Sequence, residues 1–185
     1  MTLHRMFDAS VPPSSAYPGS DAVAGYIGPA GNTPHIWTLD EWLRFGELRQ
    51  FPIWVGAGRT DGPGDGLMAA EMMRVLGWTA GGTDRRACLL DMEAEVNPEY
   101  VNGFADALER NGYVTIVYES LSAVAGNPVR SGIWLADWDG VAALPAVAGV
   151  IGIQYKPNVP YDGTEVDLSA ITDEMLTHSG YGPRK

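Results

Sequence analysis

Two acidic residues, separated by one position, end an apolar stretch of strand character, Ala87–Glu95. Side chains alternate between the faces of a strand, so Asp91 and Glu93 share a face about 7 Å apart, with Leu89 deeper. Two carboxyl groups this close repel each other in a poorly hydrated site, which moves their pKa values apart. Such a pair favours one acid and one base. The alternative is a strand that simply runs into an acidic loop.

Two further segments carry acids in strand patterns. Residues 5–10 place Asp8 at the exit of a strand, which resembles the position of Asp91. Residues 164–169 place Glu165 and Asp167 on one shared face. If the strand that carries Asp91 and Glu93 belongs to a closed parallel barrel, its C-terminal end lies at the mouth, where such barrels perform their chemistry.

Eight stretches have the apolar or alternating pattern of strands. In chain order they are Arg5–Ser10, Ala22–Gly28, Phe51–Ala57, Ala87–Glu95, Tyr113–Ser120, Gly132–Asp139, Gly149–Tyr155 and Thr164–Ser169. Helical patterns cover residues 38–45, 67–77 and 99–110, and the first begins with the capping-box residues Thr38 and Glu41. The alternation predicts parallel strands joined by right-handed crossovers.

Eight such strands predict an α/β fold, a compact (β/α)8 TIM-type barrel. With 185 residues, the chain is shorter than the roughly 200 residues at the low end for this fold. We therefore expect reduced helices in the C-terminal half and a thinly covered flank that offers virion or homo-oligomer contacts. The glycine-rich residues 58–66 lack the Lys-Ser/Thr ending of a phosphate-binding loop, which predicts a mobile rim loop.

Composition limits the classes of function. Residues 1–185 show no break that would divide them, which predicts one domain. A net charge of −11 argues against nucleic acid and anionic membranes as partners. We find no spanning apolar run and no signal peptide, so we expect a soluble protein made in the cytoplasm.

The cysteine and histidine content predicts neither a disulfide nor a metal site. The single cysteine, Cys88, is expected to be buried beneath a helix. His4, His35 and His178 form no ligand-spaced pair, so no metal and no cofactor are predicted.

Five segments in this order resemble the lysozyme-type muramidases of glycoside hydrolase family 25, or the related glycoside hydrolase-like domain of actinobacteria and their phages. They are Phe7–Ser10, Asp91–Glu93, Ile133–Trp138, Gln154–Tyr155 and Val166–Ser169. The resemblance implies hydrolysis of the β-1,4 bond between N-acetylmuramic acid and N-acetylglucosamine in peptidoglycan. It implies an enzyme of the cell-wall-lytic, endolysin kind, acting on peptidoglycan or a related glycan.

The resemblance also implies roles for single residues. Glu93 would be the general acid, and Asp91 would orient the acetamido group of the substrate or stabilise the oxocarbenium-like state. Asp8 and Asp167 would tune the charge and bind sugar. Other side chains would bind substrate, although the aromatic ones could equally fill the barrel interior. These are Trp134, Trp138, Tyr155, Gln154 and Tyr118.

Two alternatives stay open. The chain carries no appended wall-binding module, and its negative charge opposes approach to an anionic cell wall. A catalytically weak or inactive barrel could instead serve as a glycan-binding or structural module, for example in a phage virion. A metal-dependent hydrolase that uses the same acids is the third reading.

Overall fold

The computed structural model describes residues 2–33, 35–80 and 85–181. Eight strands form a closed barrel, because β1 pairs with both β2 and β8 while β2 also pairs with β3. The predicted TIM-type barrel is therefore confirmed. The strands are β1 Leu3–Ala9, β2 Ala22–Gly28, β3 Arg49–Val55, β4 Ala87–Glu93, β5 Val114–Ser120, β6 Ile133–Ala136, β7 Val150–Tyr161 and β8 Thr164–Thr172. A short ninth strand, β9 Gly180–Tyr181, pairs with the start of β3.

In the described parts of the chain, four helices accompany the barrel: α1 Leu39–Arg44, α2 Gly62–Val75, α3 Pro98–Arg110 and α4 Asp173–Thr177. Thr38 and Glu41 form the expected capping box on α1, and Asn97 caps α3 just before its first residue, Pro98. Between β5 and α4 the described chain contains no helix, which confirms the thinned C-terminal half of the ring. None of the helices in the described ranges is long and apolar enough to cross a membrane.

The eighth strand runs against the direction that the sequence pattern predicts. β8 is antiparallel to both β7 and β1, whereas the other barrel pairs are parallel. The reason is that β7 continues to Tyr161, so only Asp162 and Gly163 separate it from β8. Two residues can close a hairpin, but a parallel crossover needs a dozen or more. The hairpin brings Asp167 directly opposite Asp8 on β1.

Two groups of buried side chains hold the fold together. The inner group fills the barrel and includes Met6, Leu89 and Ile116. The outer group lies between the barrel and its helices and includes Phe104 and Cys88. Cys88 is thus buried on the outer face, as predicted, and burial raises the pKa of its thiol. Side chains alternate between the two faces of β4, so Asp91 is the next residue after Leu89 whose side chain faces the barrel interior.

The prediction of a rim loop over residues 58–66 is wrong from Gly62 onward, because α2 begins there with Asp61 as its N-cap. The glycines let α2 approach α3 closely. A Cβ atom at position 62 would lie 2.3 Å from the carbonyl oxygen of Tyr100, and one at position 66 would lie 2.4 Å from that of Phe104. These glycines therefore serve helix packing.

We expect Gly66→Ala to destabilise the protein by about 1–3 kcal/mol, because the added methyl group meets backbone atoms that cannot yield easily. The clash outweighs the roughly 1 kcal/mol by which alanine favours a helix interior over glycine. Urea unfolding measures the difference. Met68→Ala, at an exposed position of the same helix, is the control and should change stability by less than about 0.5 kcal/mol. A more stable Gly66→Ala protein would contradict the packing argument.

Candidate active site

A cavity of about 200 Å³ opens at the end of the barrel where the parallel strands terminate. Its lining contains four carboxyl groups, two carboxamides from β7 and several aromatic rings, and among the described residues it contains no lysine, arginine or histidine. The lining residues are Asp8, Tyr26, Ile53, Asp91, Glu93, Tyr118, Trp134, Trp138, Gln154, Pro157, Asn158 and Asp167. The four acids singled out in the sequence therefore meet around one opening.

Asp91 lies low in this cavity and is almost fully buried. Its Oδ1 atom is buried and has no hydrogen-bond partner among the described residues. Burial, followed by the charge of Glu93, raises its pKa from 3.8 to about 7, against the opposing effect of a hydrogen bond from the Glu93 backbone. The side chain is therefore partly protonated at neutral pH. Backbone N–H groups of Gly56 and Ala57 hold the strand here by donating to the Asp91 carbonyl oxygen, at 2.8 and 3.2 Å.

Glu93 stands at the exposed rim of the same cavity. The pairing of β4 with β5 slips between Asp91 and Glu93, and Glu93 has a φ of 47°. This left-handed backbone conformation costs a non-glycine residue about 1–3 kcal/mol, so the surrounding structure must compensate for it. The two acids therefore occupy different environments, one dry and one open to water.

Gln154 joins the acids of the first and last barrel strands. Its Nε2 atom donates to both carboxylate oxygens of Asp8, at 3.2 Å each, and to Oδ2 of Asp167 at 3.3 Å. Its Oε1 atom accepts from Tyr118 Oη at 2.6 Å and from Trp138 Nε1 at 2.8 Å. The Trp138 Nε1–H fixes the orientation of the amide, because it can only donate and could not bond to an NH₂ group placed there.

Both of these acids have raised pKa values. Burial raises the pKa of Asp8 well above its usual value, and the charge of Asp167 raises it further, while the bond from Gln154 lowers it. Burial also raises the pKa of Asp167, although the Asn158 backbone N–H donates to its Oδ1 at 2.7 Å and opposes the change. The cavity thus brings together carboxyl groups whose pKa values are raised by burial and by neighbouring negative charges.

The aromatic candidates separate into three positions. Trp134 is buried beneath the cavity, where its Nε1 donates to Ser169 Oγ at 3.1 Å and its ring packs 4.4 Å from that of Tyr118. Trp138 stands at the mouth with 62% of its surface exposed. Tyr155 is not brought to the cavity, because it follows Gln154 on β7 and packs against the outer core. Its predicted contact with substrate has no support in this geometry.

Sequence reasoning missed two polar residues of the lining, Tyr26 and Asn158. Tyr26 shares the inward face of β2 with Ala22 and Ala24, so strand alternation could have found it. Burial and then the charge of Asp91 raise the pKa of its hydroxyl. Asn158 lies in the part of β7 beyond the predicted end of that strand, where no pattern indicated it.

No set of three or more His, Cys, Asp or Glu side chains in the described parts of the chain is arranged to hold a metal ion.

Solved structures share this barrel, although no family model and no curated protein matches the chain. An uncharacterized protein of B. stearothermophilus superposes with a TM-score of 0.72 at 19% identity, covering 96% of this chain and 100% of that one. The catalytic domain of endolysin ply40, from bacteriophage P40 of Listeria monocytogenes, gives 0.67 at 15% identity, with 96% and 98% covered. The Clostridium perfringens spore cortex lytic enzyme SleM gives 0.63 at 15%, with 91% and 67% covered.

At these identities the likeness shows a shared fold. The chain has the barrel found in a phage endolysin domain and in a spore cortex lytic enzyme. That barrel agrees with the lysozyme-like fold that the sequence resemblance implies.

Proposed function

We propose that this protein is a glycoside hydrolase of the family 25 muramidase kind, which cleaves β-1,4 bonds in peptidoglycan or a related glycan. The observation that carries the proposal is the meeting of Asp8, Asp91, Glu93 and Asp167, from three strands far apart in the sequence, around one cavity. Glycoside cleavage needs a protonated acid beside an ionised carboxylate. The likeness to the endolysin domain and the spore cortex lytic enzyme supports the choice of substrate.

Asp91 holds a proton near neutral pH, because burial and the charge of Glu93 raise its pKa to about 7. When a sugar polymer lies across the mouth and removes water, the proton of Asp91 passes to Glu93. Glu93 gives the proton to the bridging oxygen as the bond from that oxygen to C1 breaks. The ionised Asp91 below stabilises the positive charge at C1 or orients the acetamido group. Water then adds to C1 and returns a proton to Glu93.

The dimensions of the cavity suit a polymer bound across its rim. Its volume of about 200 Å³ is below the roughly 300–1,000 Å³ of pockets that enclose a whole small ligand. We therefore infer that one sugar ring enters while its neighbours lie over the mouth. The exposed ring of Trp138 can stack on such a neighbour, and the bond from its Nε1 to Gln154 fixes the angle of the ring.

We expect the purified protein to release fragments with new reducing ends from purified bacterial cell walls, identified by mass analysis. Activity should fall about tenfold per pH unit above pH 7, because Asp91 then loses the proton that it must pass to Glu93. Assays of kcat/KM between pH 5 and 9 measure this decrease in activity.

The second candidate is a module that binds glycan without cleaving it, as a virion component or another structural part. The net charge of −11 and the lack of helices over β6 to β8 favour this reading. Retention on cell walls with no release of fragments from any wall type would support it and contradict the hydrolase.

A further inference from the structure

The short segment that follows β4 is tied to a buried asparagine from the connection between β5 and β6. The side chain of Asn127 accepts a hydrogen bond from the Asn97 backbone N–H at 2.9 Å and donates to the Glu95 carbonyl oxygen at 2.8 Å. Glu95 itself closes a turn by donating to the Met92 carbonyl oxygen at 2.9 Å. These bonds fix the chain within a few residues of Glu93.

Asn127 is itself held firmly. Only 6% of its surface is exposed, and its backbone N–H donates to the carbonyl oxygen of Ala123 at 3.1 Å. Its Nδ2 atom makes a second bond, to Glu119 Oε2 at 2.9 Å. Glu119 is buried on β5 and pairs in register with Glu93. One amide therefore joins the segment after Glu93 to the neighbouring barrel strand.

The opposite side of the segment is held by the connection between β3 and α2. Gly58 donates its N–H to the carboxylate of Glu95, and Asn97 Nδ2 donates to the carbonyl oxygen of Arg59 at 3.4 Å. These contacts lie nearer the surface than Asn127. The buried Asn127 amide thus holds, from the interior, the segment that begins at Glu93, whose backbone is in the left-handed conformation.

We propose, resting on the function proposed above, that Asn127 is a positioning residue for Glu93. Its side chain fixes the turn at residues 95–97 against Glu119 and so holds Glu93 over Asp91. Without the amide, the Glu95 carbonyl oxygen and the Asn97 N–H lose their partner and must turn toward water. The turn then relaxes, and the left-handed conformation of Glu93 is no longer imposed.

The test compares Asn127→Ala with wild type by glycan kinetics and by carbon NMR titration of the Asp91 carboxyl group. We expect kcat to fall about 10- to 100-fold, since a misplacement of about 1 Å can cost 10²-fold, while KM changes less than about threefold. The pKa of Asp91 should move below about 7, because Glu93 no longer holds its charge nearby. Asp8, Tyr26 and Tyr118, which also face Asp91, are unaltered by the substitution.

Two further variants make the result decisive. Asn127→Asp keeps an acceptor for Asn97 but sets a carboxylate against Glu119, so it should reproduce both changes if Asn127→Ala folds poorly. Asn102→Ala, which removes only an exposed bond to Arg130, should behave as wild type. A folded Asn127→Ala protein with unchanged kcat and unchanged Asp91 titration would overturn the proposal. If wild type cleaves no glycan, the proposed function fails, and the titration alone still decides the role of Asn127.

Discussion

Glu93→Gln should lower the rate of glycan cleavage about 10²- to 10⁴-fold, the range expected for loss of a general acid. The amide has the shape of the carboxyl group but cannot give a proton to the leaving oxygen. Glu93 is exposed at the rim, so the substitution should leave the fold intact. Reducing-sugar release from purified cell walls measures the loss, and circular dichroism checks the fold.

A second effect of the same variant does not depend on activity. The charge of Glu93 contributes to the raised pKa of Asp91, so its removal should lower that pKa below about 7. Glu99→Gln makes the same change of charge at an exposed position in the first turn of α3 and serves as the control. Equal activity of Glu93→Gln and wild type would remove Glu93 from the mechanism.

Asp91→Asn should separate stability from activity. We expect kcat to fall about 10²- to 10³-fold, because the substitution removes a preorganised charge next to the reacting carbon. The protein should nevertheless become more stable at pH 8. The native state keeps a proton on Asp91 up to about pH 7, whereas the unfolded chain releases it near 3.8. Stability therefore falls as the pH rises through this window, and the full penalty applies above it.

With about 1.4 kcal/mol for each pH unit between those two values, the penalty is at most about 4 kcal/mol. The asparagine variant should thus be about 2–4 kcal/mol more stable than wild type at pH 8 and nearly equal to it at pH 4. Urea unfolding at both pH values measures the difference. Asp40→Asn makes the same change of side chain at an exposed position of α1 and is the matched control. If Asp91→Asn is instead less stable than wild type at pH 8, the ionised Asp91 carboxyl group does not destabilise the native state.

The alternation of side chains explains why much of the cavity was predictable. An apolar strand that ends in Asp91 fixes Leu89 and Asp91 on one face, and the same rule places Asp8 with Met6. Alternation also accounts for Tyr155, which directly follows the inward-facing Gln154 and packs against the outer core. The structure gives that place to Gln154, whose amide can bond to both flanking acids.

Other features depend on contacts that no local pattern reveals. The left-handed conformation of Glu93 is imposed by neighbouring connections, so alternation alone could not place this residue at an exposed rim.

The direction of β8, in contrast, could have been predicted from the sequence, because Asp162-Gly163 is a strong signal for a two-residue hairpin. Both of its residues have the positive φ that such a turn needs, at 51° and 79°.

The reversed β8 also returns the chain to the end of the barrel opposite the cavity. Leu3 pairs with Thr172 at the close of β8, and Tyr181 pairs with Arg49 at the start of β3. Both positions lie at the barrel end opposite the cavity, where β1 and β3 begin. A bead or surface tethered through either position would leave the mouth directed outward, toward an insoluble polymer.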